Sequence, residues 1–254
     1  MAIVSRLSIT PVKGLALSHP DEVLVGPRGV AENRRFYLID EDRRRYGLLR
    51  DARLALVTAS YSDGLLVLGF PDGATVKDEP RLGEAVVTDF YGGDRNGHLV
   101  LGPWNDVLSA HVGRPLRLAR ADDESGAIDR ERGTVSLLSQ ASLDELGRRS
   151  GHRVVDDRRF RMLFHVDGVG PHEEDEWIGR DVRIGAALIR LHDRVARCAI
   201  TTQNPESGQV DFDTLREIKA YRGAGSNGKD VDFGVFGEVV EPGPVRVGDP
   251  VEPL

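Results

Sequence analysis

Short apolar runs broken by turn residues fill the first hundred positions. Ile3, Leu7 and Ile9 in "IVSRLSITPV", the β-rich "RRFYLID", and two apolar runs flanking Pro-Asp-Gly in "GLLVLGFPDGATV" predict strands joined by tight turns. Such punctuation suits a small β-barrel or sandwich. The period lengthens at 103–113, where Val107, Leu108 and Val112 form one face of a helix that Asn105 or Asp106 caps and Gly113 ends. "RPLRLAR" returns to strand character. The next stretch, "ADDESGAIDRERG" at 121–133, is acidic and poor in large apolar side chains, and it reads as a linker between two lobes.

In the second half, "LLSQASLDELGRRSG" predicts a helix with Ser139 or Ser142 at its start, Leu143 and Leu146 on its inner face and Gly151 past its end. Strands follow in "FRMLFHVDG", "DVRIGAALIRLH" and "RCAITTQ", then a helix in "DFDTLREIKAYRG", then closing strands in "VDFGVFGEVV" and "PVRVGDPVEPL". Three helices among hairpin-sized strands predict a mainly β fold with a few helices, α+β in class, rather than a doubly wound parallel sheet. No internal repeat interrupts this order.

At 254 residues the chain can bury one large core or two small ones around a shared cleft. A formal charge of -7 argues against nucleic-acid and anionic-membrane partners. No run approaches the roughly 18 apolar residues of a membrane helix. "MAIVSRLSITPVKG" lacks the charged start and apolar core of a signal peptide, so the expected location is cytoplasmic. One cysteine, Cys198, excludes an internal disulfide, a multi-thiolate zinc site and an iron–sulfur cluster. Any electrons this chain uses come from elsewhere.

"GAGSNGK" at 223–229 matches the glycine pattern of dinucleotide sites and most of a P-loop. Both need a strand before and a helix after, so that phosphate meets the N–H groups of a helix start. Here a helix precedes and a strand follows, which makes the segment a flexible surface loop. The seven histidines form no tight ligand pair. His165, His172 and His192 can converge in space, but H-x-x-x-H spacing is absent, and ordinary hydrogen-bonded or surface histidines are the better account. "PHEEDEWIG" is carboxylate-rich, and a solvated loop anchored by Trp177 explains it as well as a metal site does. There is no G-x-S-x-G, so nothing supports a serine hydrolase. Cys198 follows Arg197, and a thiol beside a guanidinium favours the thiolate that attacks or ligates a soft metal. Against that, a lone strand cysteine is commonly a small buried apolar residue, and strand alternation turns Arg197 away from the sulfur.

"RCAITTQNPESGQVDFDTLREIKAYR" resembles the signature of the MOSC family, the molybdenum-cofactor sulfurase C-terminal domain: Arg-Cys-x-x-Thr-Thr, an Asn-Pro-x-Ser-Gly turn, then a helix ending near Tyr-Arg. "LSITPVKG", "GPRGVAENRRFYLIDED" and "VGRPLRLAR" are similar to the N-terminal β-barrel domain that accompanies it. "SLLSQASLDEL" resembles its linking helix. The resemblance implies an N-terminal β-barrel-like lobe at 1–120 and a MOSC β-barrel lobe at 121–254. By architecture the chain is similar to proteins of the mitochondrial amidoxime-reducing component type and their bacterial counterparts.

In such proteins the cysteine is a thiolate ligand of molybdenum, which a molybdopterin carries. The resemblance therefore makes Cys198 the metal ligand and catalytic centre. It places Lys13, Gly14, Arg35, Arg161 and Arg197 against the cofactor, with Ser139 and Gln140 at the linking helix receiving its phosphate. Helix capping explains Ser139 as well. Two departures stand out: Gly14 replaces the serine of "PVKS", and Met162 and Leu163 replace the Pro-Asn of "FRPN". The implied function is a molybdenum-dependent oxidoreductase acting on N-hydroxylated or N-oxygenated small molecules, with a separate ferredoxin or flavoprotein as electron donor. The alternatives are a carrier of molybdenum cofactor or of persulfide sulfur, and a β-rich domain that has kept the fold and lost the metal.

Overall fold

The apolar runs pair over long sequence distances into two β-rich halves. The computed structural model describes residues 1–90, 93–122, 134–152, 154–228 and 230–254, so most of the stretch read as a linker lies outside the described residues. Along the chain come β1 (Ile3–Leu7), β2 (Glu22–Val25), β3 (Phe36–Ile39), β4 (Arg45–Tyr46), β5 (Thr58–Ser62), β6 (Leu65–Gly69), β7 (Thr75–Asp78), β8 (Arg81–Phe90), β9 (Gly93–Leu101), α1 (Trp104–Val112) and β10 (Arg117–Ala121). Next are β11 (Val135–Ser139), α2 (Gln140–Ser150), β12 (Phe164–Asp167), β13 (Asp181–Ile184), β14 (Ala187–Arg197), α3 (Thr214–Arg222), β15 (Val231–Glu241), β16 (Gly243–Arg246) and β17 (Val251–Pro253).

Seven strands form one sheet in the order β1-β12-β11-β15-β14-β13-β17. Its edges meet where Val4 N–H donates to Asp249 O (2.9 Å) and Val251 N–H donates to Ala2 O (3.0 Å). The sheet is thus a nearly closed barrel, and closure removes the exposed edges that invite aggregation. Leu7, Leu137, Phe164, Ile189, Leu191 and Val235 fill it. The other half packs the sheet β4-β3-β10-β9-β8 and the sheet β5-β6-β7 around Phe36, Leu38, Leu66, Leu68 and Trp104. The fold is mainly β with three α-helices among the described residues, and no helix among those residues is long and apolar enough to cross a membrane.

Four local expectations change. The 120/121 division does not follow the sheets: β1 lies in the barrel and β2 pairs with β16, because strand partners are chosen by long-range packing that local pattern does not carry. Helix α1 starts at Trp104 with no side-chain cap. Asn105 instead bridges Val100 O (3.2 Å) and Leu118 N–H (2.7 Å), tying the helix to β10. "RCAITTQ" is not a strand: β14 ends at Arg197, and Ala199–Thr202 form a 3-10 turn. "FRML" also precedes its strand, since a 3-10 turn at Asp157–Phe160 leads into Arg161 at φ 54° before β12 begins at Phe164.

Candidate functional site

Alternation along β14 buries Val195 and Arg197 and exposes Ala196, and Cys198, the first residue past the strand, is exposed too. Beyond it the chain must leave the sheet, and two threonines shape the exit. Thr201 Oγ1 donates to Cys198 O (3.1 Å) and lies 2.6 Å from Thr214 Oγ1 at the start of α3, while Thr202 Oγ1 donates to Ala199 O (2.7 Å). Such side-chain-to-backbone bonds close short turns at the expense of strand pairing. The Asn-Pro-x-Ser-Gly turn follows, with Asn204 Oδ1 accepting from the N–H of Glu206 (2.8 Å) and Ser207 (3.3 Å). Gly208 sits at φ 71°, and a Cβ there would lie 2.7 Å from Ala52 O. Gln203 Nε2 donates to Leu48 O (3.0 Å), and Ile200 packs on the Phe36 core. The segment therefore docks the two halves together and holds the thiol at their seam.

The cleft at that seam has a volume of about 440 Å³, within the usual range of small-molecule and cofactor sites. Its described lining includes six cationic side chains, Lys13, Arg34, Arg45, Arg159, Arg161 and Arg197, against one carboxylate, Asp230. Backbone pairing sets the first two in place: Lys13 N–H donates to Phe36 O (2.8 Å) and Arg34 N–H to Thr10 O (2.6 Å). Arg34 and Arg161 are both left-handed, at φ 58° and 54°, a conformation costing about 1–2 kcal/mol for a residue with a Cβ. They are cross-tied, since Arg34 Nη2 donates to Arg161 O (2.7 Å) and Arg161 Nη2 donates to Leu15 O (2.6 Å). Strain held in this way by surrounding structure clusters at functional sites.

Arg197 is largely committed to the walls. Its Nε donates to Phe233 O (2.7 Å), Nη1 to Phe160 O (2.9 Å) and Nη2 to Met162 Sδ (2.8 Å), and the guanidinium lies over the Phe160 ring. Arg159 is paired with Asp211 at 2.7 Å. The "FRML" departure is thus resolved in space: buried Met162 lines the cleft and receives Arg197, whereas Leu163 belongs to the barrel core.

Of the residues singled out from sequence, the fold brings Lys13, Gly14, Arg161, Arg197 and Cys198 to one cleft. Gly14 has φ 93°, so the serine found in similar segments would be strained on this backbone. Arg35 does not line the cleft. Its guanidinium lies 5.8 Å from the Tyr61 ring, and Arg34 takes the cleft-facing post because the left-handed turn at 34 comes before β3 starts. Ser139 and Gln140 are also elsewhere. Ser139 is fully buried, caps α2 through Ser142 N–H (3.2 Å) and donates to Glu174 Oε2 (2.8 Å), while Gln140 bonds Asp144 (2.8 Å). His165 sits in the barrel wall, where burial pushes its pKa down to about 4. Asp175 is taken by Arg194 and Arg222.

Sequence reasoning missed Arg34, Arg45, Arg159 and Asp230. The doubled arginine of "RRFY" signalled the first, and nothing local signalled the last. Among the described residues no three His, Cys, Asp or Glu side chains gather as a metal site.

A model of the MOSC domain family matches residues 113–252. The chain is 26% identical to the mitochondrial amidoxime-reducing component 1 of Xenopus laevis over 99% of this chain and 82% of that protein. To the protein of the same name from Mus musculus it is 27% identical over 98% and 81%. The crystal structure of the YUAD protein from Bacillus subtilis aligns over 99% of this chain and 95% of that one at 12% identity, with a TM-score of 0.48. With its cysteine turn, its nearly closed barrel and a family match over more than half its length, the chain belongs to the MOSC domain family.

Proposed function

We propose that the chain is a molybdenum-cofactor-dependent reductase of N-hydroxylated or N-oxygenated small molecules, with Cys198 as the protein ligand of the metal. The observation that carries this reading is an exposed thiol, fixed on a threonine-tied turn, in a cleft lined by six cationic side chains. A lone thiolate cannot hold a transition metal. Because no other ligand cluster accompanies it among the described residues, a metal at Cys198 must bring most of its ligands along.

A molybdopterin meets that condition, so the residues present fit the group. The soft thiolate completes the donor set, and Lys13, Arg34, Arg45 and Arg161 offer charge to a phosphate and to pterin edges. Arg159 and Arg197 hold the walls. When bound, the cofactor supplies the two-electron chemistry that removes oxygen from nitrogen. The chain's own residues bind its anionic parts, orient the thiol through Thr201, and exclude water with Leu48, Met162 and Ile200. Relatives named for amidoxime reduction, matched over nearly the whole chain, support the substrate class. With one cysteine in its sequence, the chain takes its electrons from a separate ferredoxin or flavoprotein.

The test is molybdenum and pterin per chain in protein from a cofactor-making host, beside Cys198→Ala, followed by reduction of an N-hydroxylated substrate with an added donor. Near-stoichiometric metal that is lost in the variant, together with turnover, supports the enzyme. Pterin without turnover favours a carrier, and absence of both sinks the reading.

A further inference from the structure

The carboxylate in the cleft stands at the end of the β14–β15 ladder, as the thiol does. In the antiparallel pair β14 and β15, Ala196 is matched with Asp232 and Arg197 with Val231. Cys198 and Asp230 are the next residues beyond that last pair, each just outside its strand. Both residues are exposed and both line the cleft.

Gly225 and Asn227, from the glycine-rich segment that fits no phosphate motif, hold the Asp230 backbone, and Asn227 also bonds its carboxylate. Asn227 Oδ1 accepts from Asp230 N–H (2.9 Å) and Asn227 Nδ2 donates to Asp230 Oδ2 (2.7 Å). Gly225 N–H donates to Asp230 O (2.7 Å), and Ser226 N–H donates to Asp232 Oδ2 (2.7 Å). A carboxylate has about four acceptor positions, so Asp230 retains capacity toward the cleft. An anionic cofactor is matched by the lysine and arginines and repels a carboxylate. The complement of Asp230 is therefore a group rich in N–H or positively charged.

We propose that Asp230 is a substrate-binding residue that selects compounds whose N–O nitrogen belongs to an N–C–N group, amidoximes and N-hydroxyguanidines. This rests on the reductase reading above. In the reaction, an amidoxime, two electrons from the donor and two protons give an amidine and water; the N–O bond breaks and the oxygen leaves as water. The Asp230 carboxylate accepts from the free NH2 of the substrate. Once the amidine takes up a further proton, the carboxylate receives both of its N–H groups in a bidentate, charge-assisted pair.

The experiment uses metal-loaded protein, with benzamidine as an equilibrium ligand in calorimetry and molybdenum measured on the same samples. Asp230→Asn keeps the shape and the Asn227 contacts. It is expected to retain the metal, to bind benzamidine about 10- to 100-fold more weakly, and to lower kcat/KM for benzamidoxime relative to benzenesulfohydroxamic acid, which lacks the N–C–N group. Asp230→Glu should recover part of the affinity. Equal benzamidine affinity in metal-loaded wild type and Asp230→Asn overturns the assignment while leaving the reductase reading standing. Wild-type protein that takes up no metal removes that reading and this one together.

Discussion

Glu174 should carry a proton in the folded protein. It is fully buried, with Oε2 2.8 Å from Ser139 Oγ, Oε1 2.8 Å from Ser142 Oγ, and the two hydroxyls 2.7 Å apart. Three short O···O contacts need three protons, and two hydroxyls supply two. The carboxyl supplies the third and closes a ring in which Ser142 N–H and His172 N–H fill the remaining acceptor positions of the hydroxyls. Burial also raises the Glu174 pKa, outweighing the serine hydrogen bonds. A folded-state pKa above the unfolded value gives stability that is complete below the unfolded value, about 4.3, and falls as pH rises toward the folded one. The slope is at most about 1.4 kcal/mol per pH unit. Glu174→Ala strips two buried hydroxyls of a partner and should cost about 2–5 kcal/mol. Glu174→Gln keeps a donor and an acceptor, should cost less than half of that, and should flatten the pH dependence. Urea midpoints for the three proteins from pH 4 to 9 decide the matter. A Gln variant that tracks the wild-type pH profile, or that loses as much as Ala, refutes the proton count.

Other outcomes follow from the same geometry. Thr201→Val removes the bonds to Cys198 O and Thr214; it should cost about 1–2 kcal/mol and speed modification of Cys198 by an aromatic disulfide reagent, read by absorbance. Gly208→Ala drives a Cβ against Ala52 O at a left-handed position and should lower stability by about 1–3 kcal/mol, checked by thermal melting. His165, pushed down to about 4 by burial, is neutral when folded, so stability should fall as pH drops from about 6.5 toward that value. His165→Phe should shallow that loss in acid titration followed by circular dichroism.

Much of the fold was legible locally. The capping serine and terminal glycine of α2, the aspartate that opens α3 and the turn between β6 and β7 lie within a few residues of the elements they delimit. The cysteine turn was legible as chemistry but misread as strand, because threonine favours strands until its hydroxyl finds a backbone carbonyl. Ser139 was misplaced for the opposite reason: a serine at a helix start suits a phosphate equally well, and only the burial of Glu174 beside it shows that its hydroxyl is taken.

The sequence by itself determined the β-rich class, the short helices and the single thiol within an Arg-Cys-x-x-Thr-Thr run, since each depends on periodicity or composition over a short window. Tertiary structure decided that β1 completes the barrel, that Arg34 rather than Arg35 meets the cleft, and that Asp230 shares that cleft with Cys198. The first and last depend on pairing between strands more than thirty residues apart, which is set when whole faces are buried together, and the second on a left-handed backbone at Arg34 that surrounding structure holds.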